Sequence, residues 1–355
     1  MQGRWRENLI KIKPYVAGEQ SKDKDMIKLN ANENPYPPSP QVKKALQKFA
    51  DNCEGLKKYP ESDATVLKDA IAKRYGVGRE NVFVGNGSDD VIALSFMAFF
   101  NSEKPILYPD ITYSFYPVWC SLIKIPYRTV PVDNNFEICA EDYYAENGGI
   151  IIPNPNAPTS IGKGLDFVTD IVEHNGDSVV IIDEAYVDFG GESAVELTKK
   201  YENLLVTQTF SKSRSLAGMR IGFAIGSETL ITALETVKNS YNSYVMDSVA
   251  LEVGAAAVAD EAYFRECVNK IINTRERVKK ELASLGFDVK NSSTNFLFAT
   301  HKDYSAKEIF EFLKTRKIFV RYFNIPRIDN HLRITVGTDE EMDKMLAALK
   351  EIICK

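Results

Sequence analysis

The apolar residues of this chain fall into short runs, each stopped by glycine or polar residues, and stretches of helical periodicity separate the runs. From about Asp63 the pattern predicts a helix over Ala64–Tyr75, a run at Val82–Val84, a Gly-rich turn, a helix over Asp89–Phe100 and a run at Pro105–Tyr108. It continues with a run at Gly149–Ile152, a helix over Asp166–His174, and runs at Val179–Ile182, Leu204–Thr207 and Ile221–Ile225. Short runs that are apolar on both faces belong to strands covered from above and below, so the prediction is an α/β fold with a mostly parallel sheet between helical layers.

A helical stretch over Ser227–Ser284 follows, and then three strand-like runs at Asn295–Ala299, Ile318–Tyr322 and Leu332–Val336, with a helix over Ser305–Lys317 between the first two. These predict a smaller α+β domain. Its last helix opens at Thr338-Asp339-Glu340-Glu341, a capping box in which the Thr and Glu side chains satisfy each other's free backbone donors. Residues 1–50 stand apart: around Leu29-Asn-Ala-Asn-Glu-Asn-Pro35 they are polar and proline-rich, and they read as an extended arm leading into a helix near Pro40. On this pattern the arm is too polar to be a core element and belongs with the small domain, while 51–245 form the large domain and 246–355 the small one.

A chain of 355 residues, 44% hydrophobic, exceeds the size at which one core keeps growing, which also argues for two domains. The balance of 44 basic against 49 acidic residues, with no basic run, argues against nucleic acid as a partner. Cys53, Cys120, Cys139, Cys267 and Cys354 form no C-x-x-C pair, and none of the three histidines is spaced with another ligand as in a zinc site. A reduced, cytoplasmic, metal-free protein is expected. No apolar stretch is long enough to span a membrane, and the N-terminal residues lack the apolar segment of a secretion signal.

In an open α/β sheet ligands bind beyond the carboxyl ends of the strands, so the residues where each run stops are the informative ones. The first run stops in Gly85-Asn86-Gly87-Ser88-Asp89-Asp90, a turn and helix start that can hold a phosphate. By itself it reads first as a tight turn with an acidic cap, because it lacks the Lys-Ser/Thr of a P-loop and the third glycine of a dinucleotide motif. Another run stops in Asp183-Glu184-Ala185-Tyr186, which puts a carboxylate and a phenol at the mouth of the sheet. The next leads into Thr209-Phe210-Ser211-Lys212-Ser213-Arg214, with Gly218-Met219-Arg220-Ile221-Gly222 close behind.

Taken together, Asp-x-x-Tyr at one strand end, Ser-x-Lys one strand later and an arginine eight residues beyond the lysine resemble the cofactor cradle of the fold-type-I pyridoxal-5′-phosphate aminotransferases. The resemblance extends over essentially the whole chain, through LNANENP, GNGSDD, PDITYSFY, NPNAPTS, DEAYVDF, TFSKSRSLAGMRIG, FVRYF and LRITVG. Within that group LNANENP, KKYPE and the lysine segment are most similar to histidinol-phosphate aminotransferases. The implied fold is that of aspartate aminotransferase, with a mostly parallel seven-stranded sheet in the large domain. The implied cofactor is pyridoxal 5′-phosphate.

The resemblance also implies roles. Lys212 would carry the cofactor and, once substrate has released it, move the proton at the substrate's Cα as base and acid. Asp183 would pair with the ring nitrogen and Tyr186 with the ring oxygen, while Tyr113 would stack on the ring, Tyr116 being the second candidate. Arg220, Thr209, Ser211, Ser88 and Asp89 would hold the phosphate, the last two through backbone amides. The loop departs from the family's Asn-Pro-Thr-Gly at Ala157 and Ser160, which leaves Asn156 as the candidate for the missing asparagine or as a loop-shaping residue. Tyr59 would reach the neighbouring subunit's cofactor, which implies a homodimer. Arg333 would bind the amino-acid carboxylate and Arg321 would be the second arginine of the substrate site, the two together sharing the phosphate of histidinol phosphate and the carboxylates of glutamate, and Tyr15 and Asn32 on the arm would close over the substrate. The implied reaction is transamination of a small phosphorylated amine, histidinol phosphate, with glutamate and 2-oxoglutarate as the second couple, and the alternative is the related threonine-phosphate decarboxylase or another small-substrate aminotransferase.

Overall fold

Residues 4–15 and 25–353 are described by the computed structural model. The arm supplies β1 (Ile27–Lys28) and leads into α1 (Pro40–Asp51), whose start is fixed by Pro40 and by the Ser39 hydroxyl accepting the Gln41 amide. The alternating part then runs α2 (Thr65–Tyr75), β2 (Val82–Gly85), α3 (Ser88–Phe99), β3 (Ile106–Pro109), α4 (Tyr116–Ile123), β4 (Tyr127–Val130), β5 (Ile150–Pro153), α5 (Leu165–His174), β6 (Val180–Asp183), β7 (Leu204–Thr209) and β8 (Gly222–Ile225). Beyond it come α6 (Glu228–Tyr241), α7 (Ser248–Ala259), α8 (Glu261–Ser284), β9 (Phe287–Val289), β10 (Phe296–His301), α9 (Ala306–Thr315), β11 (Ile318–Phe319), β12 (Arg321–Tyr322), β13 (Leu332–Thr335) and α10 (Asp339–Ile353). Thr338 and Glu341 make the expected capping box, the Thr338 amide donating to the glutamate at 2.8 Å and the Glu341 amide to the threonine hydroxyl at 3.3 Å.

The central sheet has seven strands in the order β2-β8-β7-β6-β5-β3-β4, with β8 antiparallel to both neighbours and the other pairings parallel. Strands β5, β6 and β7 are buried at every position, because alternate side chains enter two layers. Ile150, Ile152, Val180 and Ile182 pack on one face, and Ile151, Ile181, Leu205 and Phe83 on the other. The first three residues of β4 are exposed at the sheet edge, so this strand carries no apolar run. A second sheet, β12-β13-β10-β9, is antiparallel throughout.

Two expectations change. The helical stretch from Ser227 is three helices, because Asp247 and Asp260 interrupt it and cap the helices that follow, accepting the Ala250 and Tyr263 amides. The run Ile318–Tyr322 is divided between two sheets: β11 pairs in parallel with β1, and β12 pairs with β13.

The arm is also a core element, contrary to its polar composition. The Leu29 amide donates to the Phe319 carbonyl at 2.8 Å and its carbonyl accepts the Thr335 amide at 3.0 Å, so it is stitched between two strands. Its side chain is 1% exposed, in a cluster with Val278, Ile318 and Ile334. The apolar stretch Met26-Ile27-Lys28-Leu29 ahead of the asparagines is too short to leave a periodic signal, yet backbone pairing on both sides suffices to bury Leu29. Because β8 runs backwards, its first residue, Gly222, lies opposite both Gly85 and Thr209. The ends of β2, β6 and β7 and the start of β8 thus meet at one edge of the sheet.

Candidate active site

At that edge α3 begins without a side-chain cap, which leaves the first-turn amides open. Asp89 accepts a hydrogen bond from the Tyr113 hydroxyl at 2.8 Å and lies 3.4 Å from the Arg220 guanidinium. Arg220 also reaches the Ser211 hydroxyl at 3.5 Å, and the Thr209 hydroxyl donates to Ser211 at 3.0 Å. Glycine is required here for space. A Cβ on Gly87 would stand 2.6 Å from the Arg220 guanidinium, and one on Gly222 would stand 2.3 Å from the Ser88 nitrogen. Open helix amides, two hydroxyls and a guanidinium form a donor set suited to a phosphate group.

Asp183 ends β6 and is buried. It accepts the Tyr116 hydroxyl at 2.8 Å and the Ala185 amide at 3.2 Å, and burial pushes its pKa up to about 6 against the pull of these two donors. Tyr186 accepts the amide of Asn32 at 2.8 Å on its hydroxyl, and the Lys212 amine stands 5.8 Å from the centre of the Tyr186 ring. The same amine donates to the Ala31 carbonyl at 3.3 Å. A buried acceptor, a phenol and an amine around one space, with the phosphate-binding corner beside them, fit a phosphorylated aromatic aldehyde with a basic ring nitrogen.

The arm forms one wall of this space. Asn32 holds a left-handed backbone (φ 56°), a conformation that asparagine tolerates, and it is fixed by the Asn295 side chain donating to its carbonyl and by its own amide donating to Thr335. Asn34 donates to the carbonyls of Lys212 and Ser213 at 3.0 and 3.2 Å and so secures the backbone that carries the lysine. Tyr15 stacks on Phe115 with ring centres 4.6 Å apart and stands 6.3 Å from Tyr113.

Arg333 donates to the Asn30 carbonyl at 2.8 Å while its Nε is buried without a partner. Its guanidinium lies near the rings of Phe296 and Phe323, and the Arg321 guanidinium also lies over Phe323. Burial, together with Arg321, pulls Arg333 below the usual arginine range, opposed by Tyr186, Tyr15 and Tyr113.

Of the residues singled out from sequence, the structure therefore gathers Ser88, Asp89, Tyr113, Asp183, Tyr186, Thr209, Ser211, Lys212 and Arg220, with Tyr15, Asn32, Arg321 and Arg333 on the open side. Asn156 is buried beneath them, donating to the Ile111 carbonyl and the Thr159 hydroxyl and accepting from Thr112. Both amide hydrogens are thereby committed to shaping the loop and the segment that carries Tyr113. Tyr59 is 81% exposed and stacked on Tyr244. Asn34 escaped the sequence reading although it lies within LNANENP, and Tyr116 was weighed there only as a ring stacker. Tyr113 precedes α4 and only Tyr116 lies within it, so no helical spacing in the sequence links the two phenols.

The family described as "Aminotransferase class I and II" matches residues 24–349 of this chain. The histidinol-phosphate aminotransferase of Lactococcus lactis subsp. cremoris (strain MG1363) is 52% identical over 349 residues, covering 98% of both chains. That of Acinetobacter baumannii (strain SDF) is 52% identical over 350 residues, covering 98% of this chain and 97% of its own. The crystal structure of histidinol-phosphate aminotransferase from Sinorhizobium meliloti in complex with pyridoxal-5′-phosphate superposes with a TM-score of 0.83 at 24% identity, over 93% of this chain and 91% of that one. A family match over residues 24–349 and 52% identity over 98% of the chain lead to one assignment: the chain belongs to the class I and II aminotransferases, in the histidinol-phosphate aminotransferase family.

Proposed function

We propose that this protein transaminates histidinol phosphate, with glutamate and 2-oxoglutarate as the second couple, using pyridoxal 5′-phosphate held on Lys212. The observation that carries this reading is the meeting of Lys212, Asp183 and Tyr186 with an uncapped helix start and Arg220 on one side, and with two arginines lacking ion pairs among the described residues on the other. Bound there, the cofactor supplies an electron sink for the electron pair left when the substrate's Cα loses its proton. The chain's own residues supply the rest.

Lys212 takes that proton and returns it as general base and acid. Asp183, as carboxylate, would hold the proton on the ring nitrogen, while Tyr186, steadied by Asn32, would donate to the ring oxygen. Arg220, Thr209, Ser211 and the Ser88 and Asp89 amides would hold the phosphate, and Tyr113 would pack against the ring. Asn156 acts by shaping the loop under Tyr113. Arg321 and Arg333 take the far anionic group of either substrate, and Tyr15 on the arm limits water access. The exposed, stacked pair of Tyr59 and Tyr244 supports a homodimer in which Tyr59 serves the partner's site.

The test is glutamate formation from histidinol phosphate and 2-oxoglutarate, with CO₂ release from threonine phosphate measured in a parallel reaction. Stoichiometric glutamate supports the proposal. Release of CO₂ from a phosphorylated amino acid without glutamate would identify a decarboxylase instead.

A further inference from the structure

Asp183 is buried, and no lysine, arginine or histidine pairs with it among the described residues. A carboxyl in that setting tends to take up a proton, and a protonated carboxyl cannot serve as the anionic partner of a ring N–H. Donors that favour the charged form therefore decide how well it works. It has two. The Ala185 amide is a backbone group at 3.2 Å, and the Tyr116 hydroxyl is nearer at 2.8 Å. A carboxylate offers about four lone-pair sites, so two remain after these donors are satisfied.

Tyr116 is unusually well fixed for this task. Its side chain is fully buried, edge-on to Tyr108 at 5.7 Å and perpendicular to Tyr113 at 5.7 Å. The ring is held by packing, so the hydroxyl's direction does not depend on its own hydrogen bond. Burial and the neighbouring Asp183 also push the phenol well above its ordinary pKa, so it remains a donor at any working pH. This placement removes Tyr116 as a ring stacker, since its hydroxyl is turned to the carboxylate.

We infer that Tyr116 is a positioning residue for Asp183: its hydroxyl holds one carboxylate oxygen and keeps the group ionised, leaving the remaining lone pairs for the proton on the cofactor's ring nitrogen. The inference rests on the reading that this pocket binds pyridoxal 5′-phosphate with its ring nitrogen at Asp183. It differs from a packing role in one respect. A packing residue affects any ligand of this shape, whereas Tyr116 acting through Asp183 affects only ligands with a ring nitrogen to hold.

The experiment titrates the full-length apoenzyme with pyridoxal 5′-phosphate and with its analogue in which the ring nitrogen is replaced by C–H, following absorbance to obtain two dissociation constants. Wild type, Tyr116→Phe and Asp183→Asn are compared. Tyr116→Phe keeps the ring and its packing, so it should weaken pyridoxal 5′-phosphate about tenfold, the effect of losing one charge-assisted hydrogen bond, and change the analogue by less than about twofold. Equal weakening of both ligands, or of neither, overturns the inference. If wild type and Asp183→Asn bind the two ligands in the same ratio, the Asp183 reading beneath it is wrong, and the inference falls with it.

Discussion

Removing Arg333 gives the sharpest view of how the substrate end works. The free protein holds this guanidinium half-buried, with one of its five N–H groups committed to the Asn30 carbonyl, its Nε without a partner and a second cation, Arg321, close enough to depress its pKa. No carboxylate is ion-paired to either arginine among the described residues, so an anionic ligand relieves an unfavourable arrangement as well as forming new bonds. Truncating one member of such a buried charge pair costs about 2–5 kcal/mol, which corresponds to about 30-fold to several thousand-fold in kcat/KM. Arg333→Ala should therefore lower kcat/KM by at least about 30-fold for both glutamate and histidinol phosphate.

Histidinol, which lacks the phosphate, should lose under about threefold, because it never used that charge. Arg333→Lys should fall between, keeping the charge but losing the planar fork. The fold loses the bond to Asn30 and the guanidinium's contacts with the rings of Phe296 and Phe323, together about 2 kcal/mol, so the melting temperature should fall by several degrees while the protein stays folded. Steady-state kinetics on the three substrates, with a thermal melt of each variant, decide the matter. Equal losses on all three would mean that Arg333 shapes the site without reading the anion, and the substrate assignment would lose its physical basis.

Lys212→Ala should reduce turnover by at least about 10⁴-fold, since the cofactor's attachment and the proton carrier go together, and activity within tenfold of wild type would refute its role. Tyr59→Ala should weaken cofactor retention about tenfold in a dimer of unchanged sedimentation, and a fully active, cofactor-loaded monomer would refute the shared site. The buried Glu184 accepts from Ser193, Gln208 and the Ala194 amide without an ion pair among the described residues, and burial pushes its pKa from 4.5 up to about 7. A raised folded-state pKa means stability that is present below about pH 4.5 and lost as pH rises through about 7. The melting temperature of Glu184→Gln minus that of wild type should therefore grow between pH 5 and pH 8 and then level off, and a constant difference would refute the assignment.

The sequence by itself determined the strand–helix alternation, because strands covered on both faces must be apolar at every position, and β5, β6 and β7 are. It determined the residues at the strand ends as well, since Asp183 ends β6, Lys212 follows β7 and Arg220 precedes β8. Elements whose stability does not come from their own side chains were not legible. The edge strand β4 faces solvent over most of its length, and the breaks between the three helices from Glu228 are made by Asp247 and Asp260 through bonds to backbone amides, with no glycine or proline to mark them. Only the tertiary structure brought the arm inside, because Leu29 and Asn32 are held by backbone and amide partners nearly 300 residues away in sequence, and no local pattern encodes such partners. It likewise turned Tyr116 to Asp183, 67 residues on. Periodicity reports which face of an element is buried, whereas the partner that a buried polar group finds is set by how distant elements pack, and that pairing decides the chemistry at this site.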